Sequence, residues 1–262
     1  EGVSTDVVEI RDRKVGEIRK REFDIGKTEI SARQITLMPS LGTPDLAQYL
    51  QVLPGVVSTG DQGGQLFVRG GTPIQNMMLM DGMIVYSPFH SVGLFSIFDT
   101  DYLRGVDVYS AAFPAQFGGR ISSIMDLEAR NPNFKRFSGK ANITPITAGG
   151  MIEGPISKRK DGPGGSGFLV SARQSYLDQT SKSIYSYVND SVGLPFSFTD
   201  LYGKLTFSDG LNTVNFFALY NTDDVNFEFP SNFTWDQAGG GMQFRFLPQA
   251  SQVILSGNFA YS

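Results

Sequence analysis

The second half of the chain contains short segments in which apolar and polar residues alternate. Four of these segments are clearest, and they cover residues 168–175, 201–207, 242–246 and 253–261. Alternation with a period of two places one set of side chains on each face of a β-strand. With residues 137–146 and 147–156 taken as a first pair, the sequence predicts about seven antiparallel strands with one apolar and one polar face.

The connections between these segments also alternate in character. Compact turns at residues 157–166, 208–212 and 248–252 alternate with longer polar links at 178–195 and 223–233. This rhythm is typical of outer-membrane β-barrels, whose strands are too short for a search for transmembrane helices to find. An open sheet cannot seal its edges in lipid, so we expect the barrel to continue, either in further strands beyond Ser262, which we favour, or in strands supplied by another chain.

Composition narrows the chemistry that is available. The chain has no cysteine, which excludes disulfides and thiolate metal sites, and its net charge of −4 argues against a nucleic-acid partner. His90 is the single histidine, which argues against multi-histidine metal centres and a choice of catalytic histidines. We therefore predict no catalytic residue, no metal site and no cofactor. The acidic residues Asp99, Asp101, Asp107, Asp223 and Asp224 lack calcium-loop spacing and are expected to be exposed caps and loop charges.

The first half of the chain has a different sequence pattern. Between Leu53 and Glu128 glycine recurs where the chain must turn sharply or approach another backbone closely. Two short helices are expected before it, one over Ala32–Leu37 capped by Ser31 and one that starts at Pro44 and stops at Pro54-Gly55. Asp81-Gly82 predicts a tight hairpin within a small mixed sheet.

Three regions follow from these patterns. Residues 1–28 are expected to form an N-terminal arm, residues 29–135 an α+β domain, and residues 136–262 the strands of an incomplete barrel. Glu1 is not an initiator methionine, which indicates a processed or trimmed chain. The GGGM run at Gly239–Met242 indicates a strand thinned by glycine where the first domain or a neighbour comes close.

The ordered motifs resemble a known family. PSLGTPDLAQYLQVLPGV, LFVRGGTPIQNMMLMDGMIVYSPFHSVGLFSIF, VDVYSAAFPAQFGGRISSIMDLEAR and ITAGGMIEGPI closely resemble the plug domain and first barrel strands of TonB-dependent outer-membrane receptors, in the style found in Bacteroidetes. The resemblance covers roughly residues 28–262. It implies an α+β plug domain followed by antiparallel transmembrane strands of a barrel of about 22 strands, with the plug filling the lumen.

The resemblance also implies function. Such receptors lie in the outer membrane of Gram-negative bacteria with a periplasmic N-terminus, bind a scarce nutrient and import it with energy delivered by the inner-membrane TonB complex. The implied partners are TonB, the lipid bilayer, and candidate surface lipoproteins or other outer-membrane subunits. The substrate cannot be named from the sequence.

The family motifs carry over to individual residues. The resemblance places Arg69 of VRGG and Arg120 of FGGR against carboxylates on the barrel wall, as a latch that orients the plug. The plug-motif glycines are Gly55, Gly70, Gly71, Gly82, Gly118 and Gly119. The candidate ligand-facing residues at the plug apices are Gln62, Gln65, Tyr86, Phe89 and His90. His90 is expected to form hydrogen bonds rather than to bind a ligand.

The N-terminal TDVVEI segment leaves two interpretations open. Asp6, Val7 and Val8 have the position and β-branched character of the box that adds a strand to TonB. Alternatively, the true box lies before an additional periplasmic domain, which is the interpretation we favour from the sequence.

Two other functions compete with import. The protein could be a receptor-like scaffold in an outer-membrane assembly that transports nothing. A secreted carbohydrate-binding or hydrolytic β-protein would need two carboxylates facing one groove, which the spacing of Glu153, Asp178 and Glu228 does not provide.

Overall fold

The chain folds into two β-sheet units joined by residues 130–137. The computed structural model describes residues 26–40, 42–58, 64–91, 93, 95–110, 112–158, 164–184, 193–226, 232–247 and 254–262. We call residues 26–129 the plug unit and residues 138–261 the wall. Within the residues described, none of the helices has the length and apolar character needed to cross a lipid bilayer.

Two short helices open the plug unit. Helix α1 (Ala32–Leu37) begins at Ser31, whose side chain and that of Gln34 form a reciprocal capping box, which confirms the predicted cap. Helix α2 (Leu46–Leu50) is capped by Asp45, whose carboxylate accepts a hydrogen bond from Ala47 N at 2.8 Å. It ends earlier than predicted, and turns carry the chain on to Gly55.

The plug unit contains a mixed five-stranded sheet and a small hairpin. The strands are β1 (Lys27–Ser31), β2 (Val56–Ser58), β3 (Leu66–Val68), β4 (Asn76–Met80), β5 (Met83–Val85), β6 (Leu103–Tyr109) and β7 (Ser123–Ala129). The sheet has the order β1-β6-β7-β4-β5, and among these described strands only β4 and β7 are parallel. The hairpin pairs β2 with β3. Lys27 and Thr28, assigned to the arm from the sequence, lie in β1.

The turn between β4 and β5 confirms the hairpin predicted from Asp81-Gly82. Asp81 has φ of 49° and Gly82 of 82°, so both residues adopt the left-handed conformation that favours this dipeptide in two-residue hairpins. The turn therefore fixes the register of β5 against β4 and holds the Asp81 carboxylate in a defined position.

The wall is a seven-stranded antiparallel meander in which each strand pairs with the next in sequence. This confirms the predicted number of strands. The strands are β8 (Ser138–Ile143), β9 (Thr147–Lys158), β10 (Gly165–Ser175), β11 (Phe196–Ser208), β12 (Thr213–Asn226), β13 (Asn232–Phe246) and β14 (Leu255–Tyr261), with helix α3 (Leu177–Ile184) between β10 and β11.

Two boundaries differ from the sequence prediction. β8 ends at Ile143, because the Thr144 hydroxyl accepts hydrogen bonds from Ile146 N and Thr147 N and so closes a turn. The link expected over 223–233 is mostly strand, because β12 and β13 stay paired as far as Asn226 and Asn232. The other long link, 178–195, contains most of α3.

The two faces of the wall have the opposite burial from a soluble sheet. Its polar face is covered by the plug unit and its apolar face is exposed. The buried polar residues include Ser171, Arg173, Asp200, Lys204, Thr206, Asn221 and Asp223. The exposed apolar residues include Ile152, Val170, Leu201, Leu205, Phe207 and Phe216.

A shared apolar core joins the two units. One face of the plug sheet packs on the inner side of the wall, so residues of both units belong to a single cluster. From the plug unit it includes Ile30, Met78, Met80, Val106, Met125 and Leu127, and from the wall Met151, Leu169, Tyr202, Phe217 and Leu219. The plug unit lies close to Gly239 of β13, since a Cβ at this position would be 2.5 Å from the Met83 sulfur. This confirms the interpretation of the GGGM run.

Candidate functional site

Arg173 lies at the centre of a buried ionic cluster between the two units. It is on the inward face of β10, directly opposite Asp200 of β11. Its Nε and Nη2 donate to Asp200 Oδ2 at 2.9 and 2.7 Å. Its Nη1 donates to Asp45 Oδ2 of the plug unit at 3.3 Å, and Nη2 also donates to the Ser96 carbonyl. One guanidinium group thus binds the wall and the plug unit together.

The plug side of this cluster is held by backbone groups. Asp45 is the cap of α2, and its Oδ1 also accepts from Ser96 N at 2.8 Å. The capping carboxylate therefore ties α2 to the loop that contains Ser96 before it reaches Arg173. A second plug carboxylate, Asp99, accepts from the Ser171 hydroxyl of the wall at 3.3 Å.

His90 bridges two wall carboxylates in the same cluster. It is fully buried, with Nδ1 2.9 Å from Asp223 Oδ2 and Nε2 3.1 Å from the Asp200 carboxylate. Its ring stacks on Phe198 at a centroid distance of 3.7 Å. Because each ring nitrogen faces a carboxylate, both nitrogens act as donors, which requires the protonated imidazolium. The next residue, Ser91, adds two hydrogen bonds to Asp223 Oδ1.

The environment of His90 stabilises this charge. Burial lowers the pKa of His90, but the charge of Asp200 and hydrogen bonds to Asp200 and Asp223 outweigh burial, so the pKa is raised above its ordinary value. The second cation here is Arg173 of the wall, which pairs with Asp200 as His90 does. The cluster thus contains two cations and several carboxylates away from water.

A second buried cluster surrounds the Asp81 hairpin turn. Asp81 Oδ1 accepts from Lys204 Nζ of the wall and from Ala129 N, each at 3.2 Å, and Oδ2 accepts from the Tyr202 hydroxyl. Lys204 Nζ also donates to the Ala129 carbonyl at 2.9 Å. Tyr202 stacks on Tyr102 with centroids 4.2 Å apart. The buried lysine is therefore satisfied only when the plug unit is in place.

A third attachment holds the junction between the units. Glu153 of β9 accepts from Arg130 Nη1 and Nη2 at 2.7 and 2.9 Å, and from Asn133 N and Ser138 Oγ, each at 2.9 Å. One carboxylate thus fixes both ends of the linker. Lys140 and Asp101 add an ion pair at 2.6 Å that is more exposed to solvent.

The predicted arginine latch stays a prediction. The Arg69 side chain is exposed and has no ion pair among the described residues, and Arg120 donates to the carbonyls of Asn76 and Gly119 at 3.2 and 3.0 Å. The described interface has cations on both sides. Arg173 and Lys204 of the wall pair with Asp45 and Asp81 of the plug unit. His90 of the plug unit faces Asp200 and Asp223 of the wall.

The plug-motif glycines and the candidate ligand-facing residues differ in backbone conformation and in burial. Gly55, Gly70, Gly82 and Gly119 have positive φ. A Cβ at Gly71 would collide with Ser122, whereas Gly118 has open space. Gln65 and Tyr86 are exposed and Phe89 is half-buried, but His90 is enclosed by the wall and forms hydrogen bonds as expected. Gln62, Asp6, Val7 and Val8 lie outside the described residues.

The assignment of acidic residues to exposed caps and loops was wrong for Asp99, Asp107 and Asp223, and Asp224 is exposed but lies in a strand. Asp107 is half-buried within β6 and Asp224 belongs to β12. Asp223 lies within β12 and is buried against His90, because β12 continues past the expected start of the link. Asp99 is buried against the wall. For Asp223 a sequence signal was available in outline, since charged residues recur on the polar faces of consecutive strands; Asp99 lies in a loop, where alternation gives no signal. The polar pair needed for a glycosidase groove is not formed by Glu153 and Asp178, since Glu153 holds the linker and Asp178 lies in α3.

The arrangement is suited to attachment rather than to bond chemistry. No group of three or more histidine, aspartate or glutamate residues in the described part of the chain is placed to hold a metal ion. The buried carboxylates face cations or donors of the opposite unit. The interface can hold the plug unit in place, because separating the two units would leave buried charges without their partners.

Replacing Arg173 by methionine should sharply weaken plug attachment. The change leaves Asp45 and Asp200 buried without their cation, which costs about 3–5 kcal/mol for a broken buried pair. The measurement is the urea midpoint for proteolysis of residues 27–129 in the full-length protein. Arg136→Met is the control, because Arg136 is exposed, and its midpoint should equal that of wild type. Equal midpoints for both variants would contradict the role of Arg173, and Arg69→Met in the same assay tests the predicted latch.

Attachment should also depend on pH through His90. Because the pKa of His90 is raised in the folded protein, its contribution is complete below its unfolded pKa of about 6.5 and is lost as pH rises through the folded value. Hydrogen exchange of residues 86–98, corrected for intrinsic chemistry, should show protection falling with rising pH. His90→Gln keeps hydrogen-bonding capacity without the charge and should remove that dependence. An unchanged pH profile in the variant would show that His90 does not titrate in this range.

Comparisons with known proteins agree with this architecture. Residues 19–123 match the family described as TonB-dependent Receptor Plug Domain. A search of curated protein sequences gave no match. Among solved structures, the siderophore receptor PirA from Pseudomonas aeruginosa matches with a TM-score of 0.60 and 18% identity, over 90% of this chain and 39% of that one.

Two other structures show the same fold. The copper transporter OprC has a TM-score of 0.58 and 14% identity, covering 90% of this chain and 36% of its own. The ferric citrate transporter FecA has a TM-score of 0.58 and 13% identity, covering 88% and 39%. The chain thus spans about two fifths of the length of these proteins. Residues 19–123 are a plug domain of the TonB-dependent receptor type, and the antiparallel strands after it have the fold of the barrel strands of such receptors.

Proposed function

We propose that this chain belongs to an energy-coupled importer of the outer membrane, in which the plug unit fills a β-barrel whose first strands are the wall. The observation that carries the proposal is the orientation of the wall. Its polar face is buried against the plug unit and its apolar face is exposed. A sheet that folds in water buries its apolar face, so this orientation is suited to a lipid environment.

The exposed apolar face is extensive. Ile152 is 59% exposed, and Leu201 and Phe216 are each 44% exposed, on three different strands. Apolar patches of more than a few hundred square ångströms are uncommon on soluble monomers and mark a contact with a partner or a membrane. Hydrocarbon chains of lipid are a partner that needs no shape complementarity.

Import requires that the plug unit yield to force. The Arg173 and Asp81 clusters are buried ionic attachments, so thermal motion alone would rarely break them together. The outer membrane has no ATP, so in the proposed mechanism TonB pulls on a periplasmic N-terminus and supplies the work. The chain would then lead the force from residues 1–26 directly into β1, the edge strand of the plug sheet.

The finer points of the proposal rest on the sequence motifs. They favour a Bacteroidetes-type receptor with a periplasmic N-terminus and with surface lipoproteins as candidate partners. The structurally similar proteins are named as receptors or transporters of siderophores, copper and ferric citrate. For this chain we propose a scarce nutrient of the same general kind, taken up from outside.

A charged substitution on the exposed apolar face of the wall should show whether this face contacts lipid or water. Leu201 lies near the middle of β11, so Leu201→Arg should destabilise a membrane-embedded barrel by about 2–4 kcal/mol, as measured by the urea midpoint of the full-length protein refolded into lipid vesicles. Leu211→Arg is the matched control, because Leu211 is 55% exposed in the turn between β11 and β12. If Leu201→Arg behaves like Leu211→Arg, the wall does not face lipid.

Recovery with TonB tests energy coupling. The full-length protein should fractionate with the outer membrane and be retained by the periplasmic domain of TonB, and a variant lacking residues 1–26 should not be retained if TDVVEI is the box. Retention of that variant would place the box further upstream. Recovery in fixed stoichiometry with other outer-membrane subunits, with no TonB bound by the full-length protein, would contradict import and favour a scaffold.

A further inference from the structure

A row of carboxylates crosses three strands of the plug sheet. Glu29 of β1 is directly opposite Asp107 of β6, and Asp107 is directly opposite Asp126 of β7. Directly opposed residues in an antiparallel pair have Cβ atoms about 4.5–5.5 Å apart, and like charges at such positions repel. The row lies on the face of the sheet away from the shared apolar core. Nothing in the packing of that core requires three acids at one register.

The cations around this row are unevenly distributed. Lys27 contacts Glu29 at 2.6 Å and Asp107 at 3.0 Å. Arg104 pairs instead with Glu128 at 2.9 Å, next to the row. Among the described residues Asp126 forms no ion pair, so the last carboxylate of the row faces acids without a cation of its own.

The other charged groups near Asp126 are also committed elsewhere or distant. Asp81, at the end of β4, is held by Lys204 and Tyr202 of the wall. Arg245 of β13 lines the opposite side of an open cavity of about 1070 Å³ that the row also lines. Gln116, from the segment after β6, is a neutral neighbour in the same cavity. This side of the sheet is therefore only partly covered by protein in the described region, because Phe113 and Phe117 pack on the cluster that includes Leu79 and Ile124 while the cavity leaves the rest open.

We propose that the Glu29–Asp107–Asp126 row is a pH-responsive weak point of the plug sheet, at which ionisation of Asp126 loosens β6 and the edge strand β1 from β7. Among the described strands β1 pairs only with β6, so both strands depend on the β6–β7 junction. Protonation of Asp126 removes the repulsion at that junction. Ionisation restores the repulsion.

The pKa of Asp126 lies near neutral pH. Burial, followed by the charges of Asp107, Glu128 and Asp81, raises the pKa of Asp126 to about 7, and Lys27 opposes the rise. A carboxyl whose folded pKa lies above its unfolded value binds its proton more tightly in the folded state. Its contribution therefore favours the folded sheet in acid and is lost as pH rises from about 4 to about 7.

Hydrogen exchange of the full-length protein in detergent tests the proposal. After correction for intrinsic exchange, protection of Lys27–Ser31 and Leu103–Tyr109 should fall by about tenfold or more between about pH 5 and about pH 8. Asp126→Asn should remove this fall and keep protection high at both pH values. No fall in the wild type, or an unchanged fall in Asp126→Asn, would overturn the proposal.

Two controls separate this effect from other titrations. His90→Gln, which acts on the interface with the wall, should keep both the pH response and its midpoint. Glu128→Gln removes a nearby charge outside the row, so it should keep the response with a midpoint shifted to lower pH, by less than in Asp107→Asn. Asp107→Asn should shift the midpoint of the response to lower pH, because one repelling charge is gone. A midpoint unchanged in Asp107→Asn would show that the row does not govern the response, even if Asp126→Asn failed to fold.

Discussion

The guanidinium of Arg173 sets the condition on which the rest of the assembly depends. It is buried on the inner face of the wall, where an unpaired charge would cost several kcal/mol. Asp200 satisfies part of it from the neighbouring strand, and Asp45 and the Ser96 carbonyl satisfy the rest from the plug unit. The inner face of the wall is thus electrostatically complete only when the plug unit is docked. His90 of the plug unit likewise pairs with Asp223 of the wall.

The two units also share their hydrophobic core. The apolar face of the plug sheet packs against the same inward surface that contains the charges, so apolar burial and ionic attachment act at one interface. Burial supplies most of the free energy of docking because it scales with the apolar area removed from water. The ion pairs contribute geometry, since each buried cation accepts only a small range of carboxylate positions. The exposed apolar residues of the wall lie on the face opposite this interface and contribute nothing to it.

The attachments are distributed unevenly around the plug unit. Glu153 fixes the linker near the C-terminal end of the unit, while Arg173 and Lys204 hold its centre. The N-terminal strand β1 is an edge strand, paired on one side only, and it carries part of the acidic row. A plug held at its centre and C-terminal end, with a weaker N-terminal strand, would separate in an order set by these contacts rather than all at once.

Local patterns in the sequence determined much of this architecture. The Asp81-Gly82 turn, the Ser31 cap and the seven alternating strands were predicted because each depends on residues that are close together along the chain. The resemblance of the ordered motifs to a known family added the prediction of a plug domain followed by barrel strands. The sequence also placed Arg173 and Lys204 on the polar faces of their strands, because side-chain direction alternates whatever the strand packs against.

Only the tertiary structure decided which charges meet. Arg173 and Asp45 are 128 residues apart, and His90 and Asp223 are 133 apart. Alternation places a charged residue on the polar face of its strand, but it does not show which part of the plug unit lies opposite. The sequence contains several acids that could pair with each inward cation, and the choice depends on how one sheet docks against another. That docking is the sum of many non-local contacts, so neither the Arg173 cluster nor the pairing of Lys204 with Asp81 could be derived from spacing along the chain.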